Sequence, residues 1–73
     1  MTANHKLGQA LRRHREQQQL SQFELADRAK ITQPYYSAIE NGQHRISFKK
    51  LLHILEVLGF ETDQVIDRIF NEN

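Results

Sequence analysis

Apolar positions recur along most of the chain at helical spacing. Leu7 and Leu11 lie four residues apart and mark the inner stripe of a first helix predicted over about residues 4–18. Arg12, Arg13 and Glu16 fall on its solvent side, but Arg15, four residues after Leu11, points inward and calls for an anionic partner. The run Gln17-Gln18-Gln19 makes a poor core and a good helix exit. Ser21-Gln22-Phe23-Glu24 is a capping box, in which Ser21 accepts from the third helical amide and Glu24 reaches back to the Ser21 amide. It opens a short second helix, ending near Ala29, with Leu25, Ala26 and Ala29 inward. Thr32 caps a third helix that carries Pro34 in its first turn, where a missing amide hydrogen costs nothing. That helix runs to Glu40, and Asn41-Gly42 supplies a left-handed exit. Tyr36, Ile39 and Glu40 share one of its faces; Gln33, Pro34, Ser37, Ala38 and Asn41 share the other.

Ser47 caps a fourth helix, which Gly59 ends. Its Phe48, Leu51, Leu52, Ile54, Leu55 and Leu58 exceed one narrow stripe and predict burial on more than one side. Thr62 caps a fifth helix over about residues 62–71, with Asp63 complementing its dipole and Val65, Ile66, Ile69 and Phe70 at helical spacing. Sustained period-two alternation is scarce. The chain reads as one all-α domain, residues 1–73, of five helices.

With 73 residues and no cysteine, disulfides, thiolate metal sites and a cysteine nucleophile are excluded. A chain this short buries only about 60% of its surface on folding, so association with a second copy is expected. No apolar run reaches the roughly 20 residues of a membrane span and no signal-peptide pattern opens the chain, which predicts a soluble, cytoplasmic protein. The formal net charge is +1, unevenly spread: residues 1–50 carry +5 and residues 51–73 carry −4. A basic body with an acidic end suits a protein that offers one face to a polyanion. His5, His14, His44 and His53 place no pair on adjacent helical turns, so no metal is expected. Paired carboxylates on one face and a phosphate-cradling glycine loop are also lacking, which argues against an enzyme and against a cofactor.

The informative stretch is residues 22–42. A short capped helix, a tight turn and a second helix make a helix-turn-helix. The outer face of the second helix carries small and amide side chains instead of the usual Lys/Glu mixture. Glutamine can bond adenine N6 and N7 together, while Ala and Ser let a helix approach the groove floor and touch a thymine methyl. The strings Leu-Ser-Gln-Phe-Glu-Leu-Ala (20–26) and Ile-Thr-Gln-Pro-Tyr-Tyr-Ser-Ala-Ile-Glu-Asn-Gly (31–42) resemble the phage-repressor and Cro-type helix-turn-helix regulators, the XRE family. So do Ser47 and the Leu51-Leu52-x-Ile54-Leu55-x-x-Leu58-Gly59 pattern; the resemblance covers roughly residues 6–60.

It implies a five-helix lambda-repressor-like fold and a regulator that binds a palindromic double-stranded DNA operator as a homodimer through the major groove. By the same resemblance, Gln22 matches the position that grips a phosphate and braces the recognition helix, and Gln33 one that reads a base edge. Pro34, Ser37 and Ala38 match the other groove-facing positions, and Asn41 and the following loop match backbone-contacting ones. Arg15 and Glu40 match an internal ion pair, which explains the inward arginine. Two departures stand out: Lys30 occupies a turn position usually held by glycine with positive φ, and Pro34 has no donor or acceptor with which to read a base. From the residues themselves, Arg45, Ser47 and Lys49, with Lys50 beside them, suit phosphate contacts in the loop and first turn of the fourth helix. Tyr35 stands beside the groove face and suits a phosphate or sugar contact. Val65, Ile66, Ile69 and Phe70 span more than one face and predict a two-fold interface at the fifth helix, with Phe60 contributing. The competing reading is an antitoxin that holds a protein toxin and regulates its own operon. No separate toxin-binding tail is evident after the fifth helix. Restriction-modification controllers are a subclass of the first reading.

Overall fold

Side-chain caps set where each helix begins. In the computed structural model, which describes residues 3–61 and residue 67, the order is α1 (Ala3–Gln17), α2 (Gln22–Ala29), α3 (Gln33–Glu40) and α4 (Phe48–Val57). Among the described residues there are four helices and no strand. The fifth helix expected at 62–71 lies outside the described residues except at Asp67, so the helical count here is four, one fewer than the hydrophobic pattern suggests. The Ser21 capping box forms in full: Ser21 Oγ accepts from the Glu24 amide at 2.9 Å and Glu24 Oε1 accepts from the Ser21 amide at 3.0 Å. Thr32 caps α3 by accepting from the Tyr35 amide, and Ser47 caps α4 by accepting from the Lys50 amide. Each cap satisfies an amide that the first helical turn leaves without a partner.

The core is the inner stripe of each helix: Leu11, Leu25, Ala26, Ala29, Tyr36, Ile39 and Ile54, closed by Leu20 and Leu58. The third helix is packed against both α1 and α2, and α4 against α2. Expectation and structure part at α4. Ile54 is its one buried residue, with Leu58 at its C-cap; Leu51, Leu52 and Leu55 are half-buried and Phe48 is 41% exposed. Leu51, Leu55 and Val57 pack against the core beside Ile54, while Leu52 and Phe48 stand further out on the helix, so its apolar positions are covered to different degrees. Gln18 Nε2 donates to the Leu58 carbonyl at 2.6 Å, tying the exit of α1 to the exit of α4.

Two backbone positions set how closely α1 and α2 approach α3. Lys30, the C-cap of α2, takes φ 58 and ψ 41, the left-handed geometry of the turn in front of α3. Its amide donates to the Asp27 carbonyl and the Ile31 amide to the Ala26 carbonyl, which closes the helix end. A residue with a Cβ is strained there. Gly8, in the middle of α1, lies directly on the last turn of α3: a Cβ at position 8 would come to 2.5 Å from the Ile39 carbonyl oxygen and 2.8 Å from the Glu40 carbonyl carbon. The exit of α3 at Gly42, with φ +73, passes under the α1 backbone at His5.

Substitutions at these two positions should act in opposite directions. Lys30→Gly removes the left-handed strain and should raise stability by about 1 kcal/mol. Gly8→Ala improves helix propensity, yet its methyl meets backbone that cannot rotate away, and should lower stability by about 1–3 kcal/mol. Urea unfolding midpoints of the two variants check both signs.

Candidate nucleic-acid interface

The third helix divides cleanly between its two faces. Tyr36, Ile39 and Glu40 are buried, while Pro34 and Asn41 are exposed and Gln33, Ser37 and Ala38 half-exposed on the other side. The buried face has a charged anchor. Arg15 and Glu40 are the buried charged residues of the described fold. Arg15 Nε donates to Glu40 Oε2 at 2.7 Å and Nη2 to Glu40 Oε1 at 3.2 Å, a forked pair joining α1 to the end of α3. Arg15 Nη1 donates to the Leu20 carbonyl at 2.5 Å, so the same guanidinium also holds the chain between α1 and α2.

The carboxylate carries this anchor outward to the exposed face. Gln22, the first residue of α2, donates Nε2 to Glu40 Oε1 at 2.9 Å, and Gln33, the first residue of α3, donates Nε2 to Gln22 Oε1 at 2.9 Å. Arg15, Glu40, Gln22 and Gln33 thus form one continuous line of side chains from core to surface. Burial pushes the Glu40 carboxyl up, but its bonds with Arg15 and Gln22 and its neighbour Tyr36 outweigh that effect and hold it below the ordinary range. The Arg15 guanidinium is held above its ordinary value by its bond to Glu40, against the opposing effect of burial. The Tyr36 hydroxyl is buried beside this pair without reaching hydrogen-bond geometry to any partner. Burial first, and then the Glu40 charge, push its phenol far above the ordinary value.

Basic and polar groups flank the exposed face. Asn41, Arg45, Ser47 and Lys49 are all exposed, beyond the C-terminal end of α3 and at the start of α4. Tyr35 is half-buried; its ring meets the His44 ring edge-on at a 5.3 Å centroid separation, and Lys50 Nζ lies 4.7 Å from its centroid. This three-residue stack, which unites α3, the following loop and α4, did not follow from the sequence, because its members are far apart in the chain. Spacing of Tyr35 from Lys50 gives no periodic signal to find it by. Among the residues expected at a two-fold interface, Phe60 is 38% exposed and packs edge-on against His14, with centroids 5.0 Å apart. Val65, Ile66, Ile69 and Phe70 lie outside the described residues.

The outer face of α3 therefore offers a fixed amide, a hydroxyl, a methyl and a proline ring, bordered by cations. Such a surface matches the edges of bases in a groove with phosphates alongside. Residues 6–68 match the family described as Helix-turn-helix domain. The uncharacterized HTH-type transcriptional regulator YqaE of Bacillus subtilis (strain 168) is 34% identical over 62 residues, which is 85% of this chain and 53% of YqaE. The chain thus spans about half the length of that curated relative. Among solved structures, the clp gene regulator ClgR from C. glutamicum superposes with a TM-score of 0.82 at 27% identity, covering 90% of this chain and 85% of that one. The restriction-modification controller protein C.AhdI from Aeromonas hydrophila gives a TM-score of 0.78 at 31% identity, covering 85% and 90%.

Breaking the Arg15–Glu40 pair leaves one buried charge without its partner. Arg15→Ala or Glu40→Ala should each cost about 3–5 kcal/mol. The pair also sets an acid limit. A carboxyl whose pKa is lower in the folded than in the unfolded chain stabilises fully above its unfolded value, near 4.5, and loses that contribution as pH falls through its folded value. Glu24, lowered by its capping bonds to Ser21, acts in the same direction. Melting temperature should therefore fall as pH drops below 4.5, and Glu40→Gln should show a shallower acid limb than the parent protein.

Proposed function

The chain belongs to the helix-turn-helix domain family, and from that premise we propose that it is a transcriptional regulator that reads a palindromic double-stranded DNA operator as a homodimer. The α2–turn–α3 unit, about residues 22–42, is the reading element, and α3 lies in the major groove. The observation that carries this reading is the fixed Gln33 amide at the start of α3, on a face otherwise made of Pro34, Ser37 and Ala38. Gln33 takes a base edge, Ser37 and Ala38 contact neighbouring bases, and Pro34 contributes shape and apolar contact. Gln22, Tyr35, Asn41, Arg45, Ser47 and Lys49 meet phosphates on either side. Gln22 keeps one Nε2 hydrogen for that purpose beyond the bond it gives Glu40.

The relatives named above, a clp gene regulator and a restriction-modification controller protein, point to a regulator of transcription and not to an enzyme. No helix of the described residues is long and apolar enough to cross a membrane. A cytoplasmic place, beside the DNA, follows from the proposed role. One recognition helix reads too few base pairs to mark a site in a genome, and two-fold pairing doubles the contact. We place the pairing element at residues 62–71, through Val65, Ile66, Ile69 and Phe70 with Phe60 contributing, in an isologous interface.

Base reading and phosphate binding separate by their dependence on sequence and salt. Gln33→Ala should cost about 1–3 kcal/mol on the operator and relax choice at one base pair per half-site. Lys49→Ala and Arg45→Ala should weaken all duplexes alike and flatten the salt slope. Anisotropy titrations on operator and random duplexes distinguish the two patterns; equal losses on both duplexes in Gln33→Ala would show that Gln33 does not read a base.

The dimer has its own test. Ile69→Glu or Phe70→Glu should yield a monomer by light scattering, with weakened operator binding and loss of the two-fold footprint. A parent protein that is monomeric at micromolar concentration, both free and on DNA, rules the interface out.

A further inference from the structure

The line from Glu40 through Gln22 to Gln33 has a direction, and the direction decides which atoms Gln33 can offer to a base. A carboxylate has no hydrogen to give, so Glu40 must face the N–H side of the Gln22 amide. That turns Gln22 Oε1 toward Gln33, and Gln33 must then meet it with Nε2. Both amides are fixed in this way by one anion two residues removed from the surface, and that anion is itself fixed by the fork from Arg15. Gln33 is left with Oε1 and the second Nε2 hydrogen for the groove, one acceptor and one donor. Adenine presents the complementary pair, N7 as acceptor and N6–H as donor; guanine presents two acceptors, N7 and O6, and opposes the Oε1 oxygen. If the relay ran the other way, Gln33 would spend its oxygen on Gln22 and present its N–H hydrogens to the groove, which favours guanine.

We propose that Glu40 is a positioning residue for base choice: through Gln22 it sets the polarity of the Gln33 amide and so selects adenine over guanine at the base pair Gln33 meets. This inference rests on the base-reading role of Gln33 given above. It assigns to a buried acid a part in specificity that is separate from its part in stability.

Two variants separate the parts. Gln22→Leu leaves the Arg15–Glu40 fork in place and removes the relay, so the Gln33 amide is free to present either end. Glu40→Gln removes the anion that sets the relay: with its oxygen at the Oε1 position the new amide still accepts from Gln22, and with its nitrogen there it donates to Gln22 Oε1, so the Gln33 amide no longer has one imposed polarity. A selection from random duplex DNA with the parent protein and with Gln33→Ala identifies the base pair whose preference depends on Gln33. Anisotropy at low salt, where loss of one phosphate contact does not end binding, then gives the ratio of affinities for the adenine duplex and for its guanine-substituted counterpart.

The parent should prefer adenine, and Gln22→Leu and Glu40→Gln should each reduce that ratio, by about tenfold in Gln22→Leu; a Glu40→Gln protein that folds and keeps the parent ratio overturns the proposal. A purely structural or phosphate-binding role lowers both affinities and leaves the ratio unchanged. Should Glu40→Gln fail to fold in a thermal melt, the Gln22→Leu ratio decides alone. If Gln33→Ala retains the adenine preference, the base-reading role falls and the relay with it. If Gln33→Ala loses the preference but Gln22→Leu keeps the parent ratio, base reading stands and the relay is overturned. A Gln33-dependent preference for a base other than adenine also overturns it.

Discussion

The Arg15–Glu40 fork is the constraint on which the rest of the arrangement depends. It is a desolvated ion pair in a fold of few residues, where the gain over a well-packed apolar pair is small and the loss on breaking it is large. What it supplies is geometry. Arg15 spans three pieces of chain at once: its own helix, the last turn of α3 through Glu40, and the Leu20 carbonyl ahead of α2. The orientation of α3 relative to α1 is thereby fixed by directional bonds, which apolar packing of Tyr36 and Ile39 alone would specify less tightly.

Close backbone approach completes what the ion pair begins. Without a Cβ at position 8, α1 can rest on the Ile39 and Glu40 carbonyls, and Arg15, two turns further along, is brought within reach of the carboxylate. On the other side, left-handed Lys30 turns the chain so that Thr32 can cap α3 and the first residues of α2 and α3, Gln22 and Gln33, meet. The strain at Lys30 is local and is borne by the packing of Ala26 and Ala29 in the last turns of α2, just ahead of it.

Local chemistry was legible in the sequence wherever it acts within one turn of helix. Ser21 with Glu24, Thr32 and Ser47 are cap signals readable from a few neighbours, and each is a cap in the structure. The inward place of Arg15 followed from its spacing after Leu11, and its partner from the resemblance to a known pattern. The left-handed Lys30 followed from the same source. What escaped was set by contacts between distant segments. Gly8 reads in isolation only as a weak helix former, and its cause is a carbonyl 31 residues later at Ile39. The Tyr35, His44 and Lys50 stack and the Gln33–Gln22 bond arise from how α3 lies against its neighbours. The burial of α4 was overstated because apolar spacing counts side chains that could be covered, not those that are.

Tyr36 gives the molecule an optical property. The chain has two tyrosines and no tryptophan, so its near-ultraviolet absorbance comes chiefly from phenol rings. The Tyr36 phenol is enclosed beside a carboxylate and resists ionisation while the core is closed. In alkaline solution, phenolate absorbance from this ring therefore requires the core to open first. An alkaline pH-jump followed by absorbance would time that opening with a chromophore already seated in the core on the inner face of α3, without any attached label.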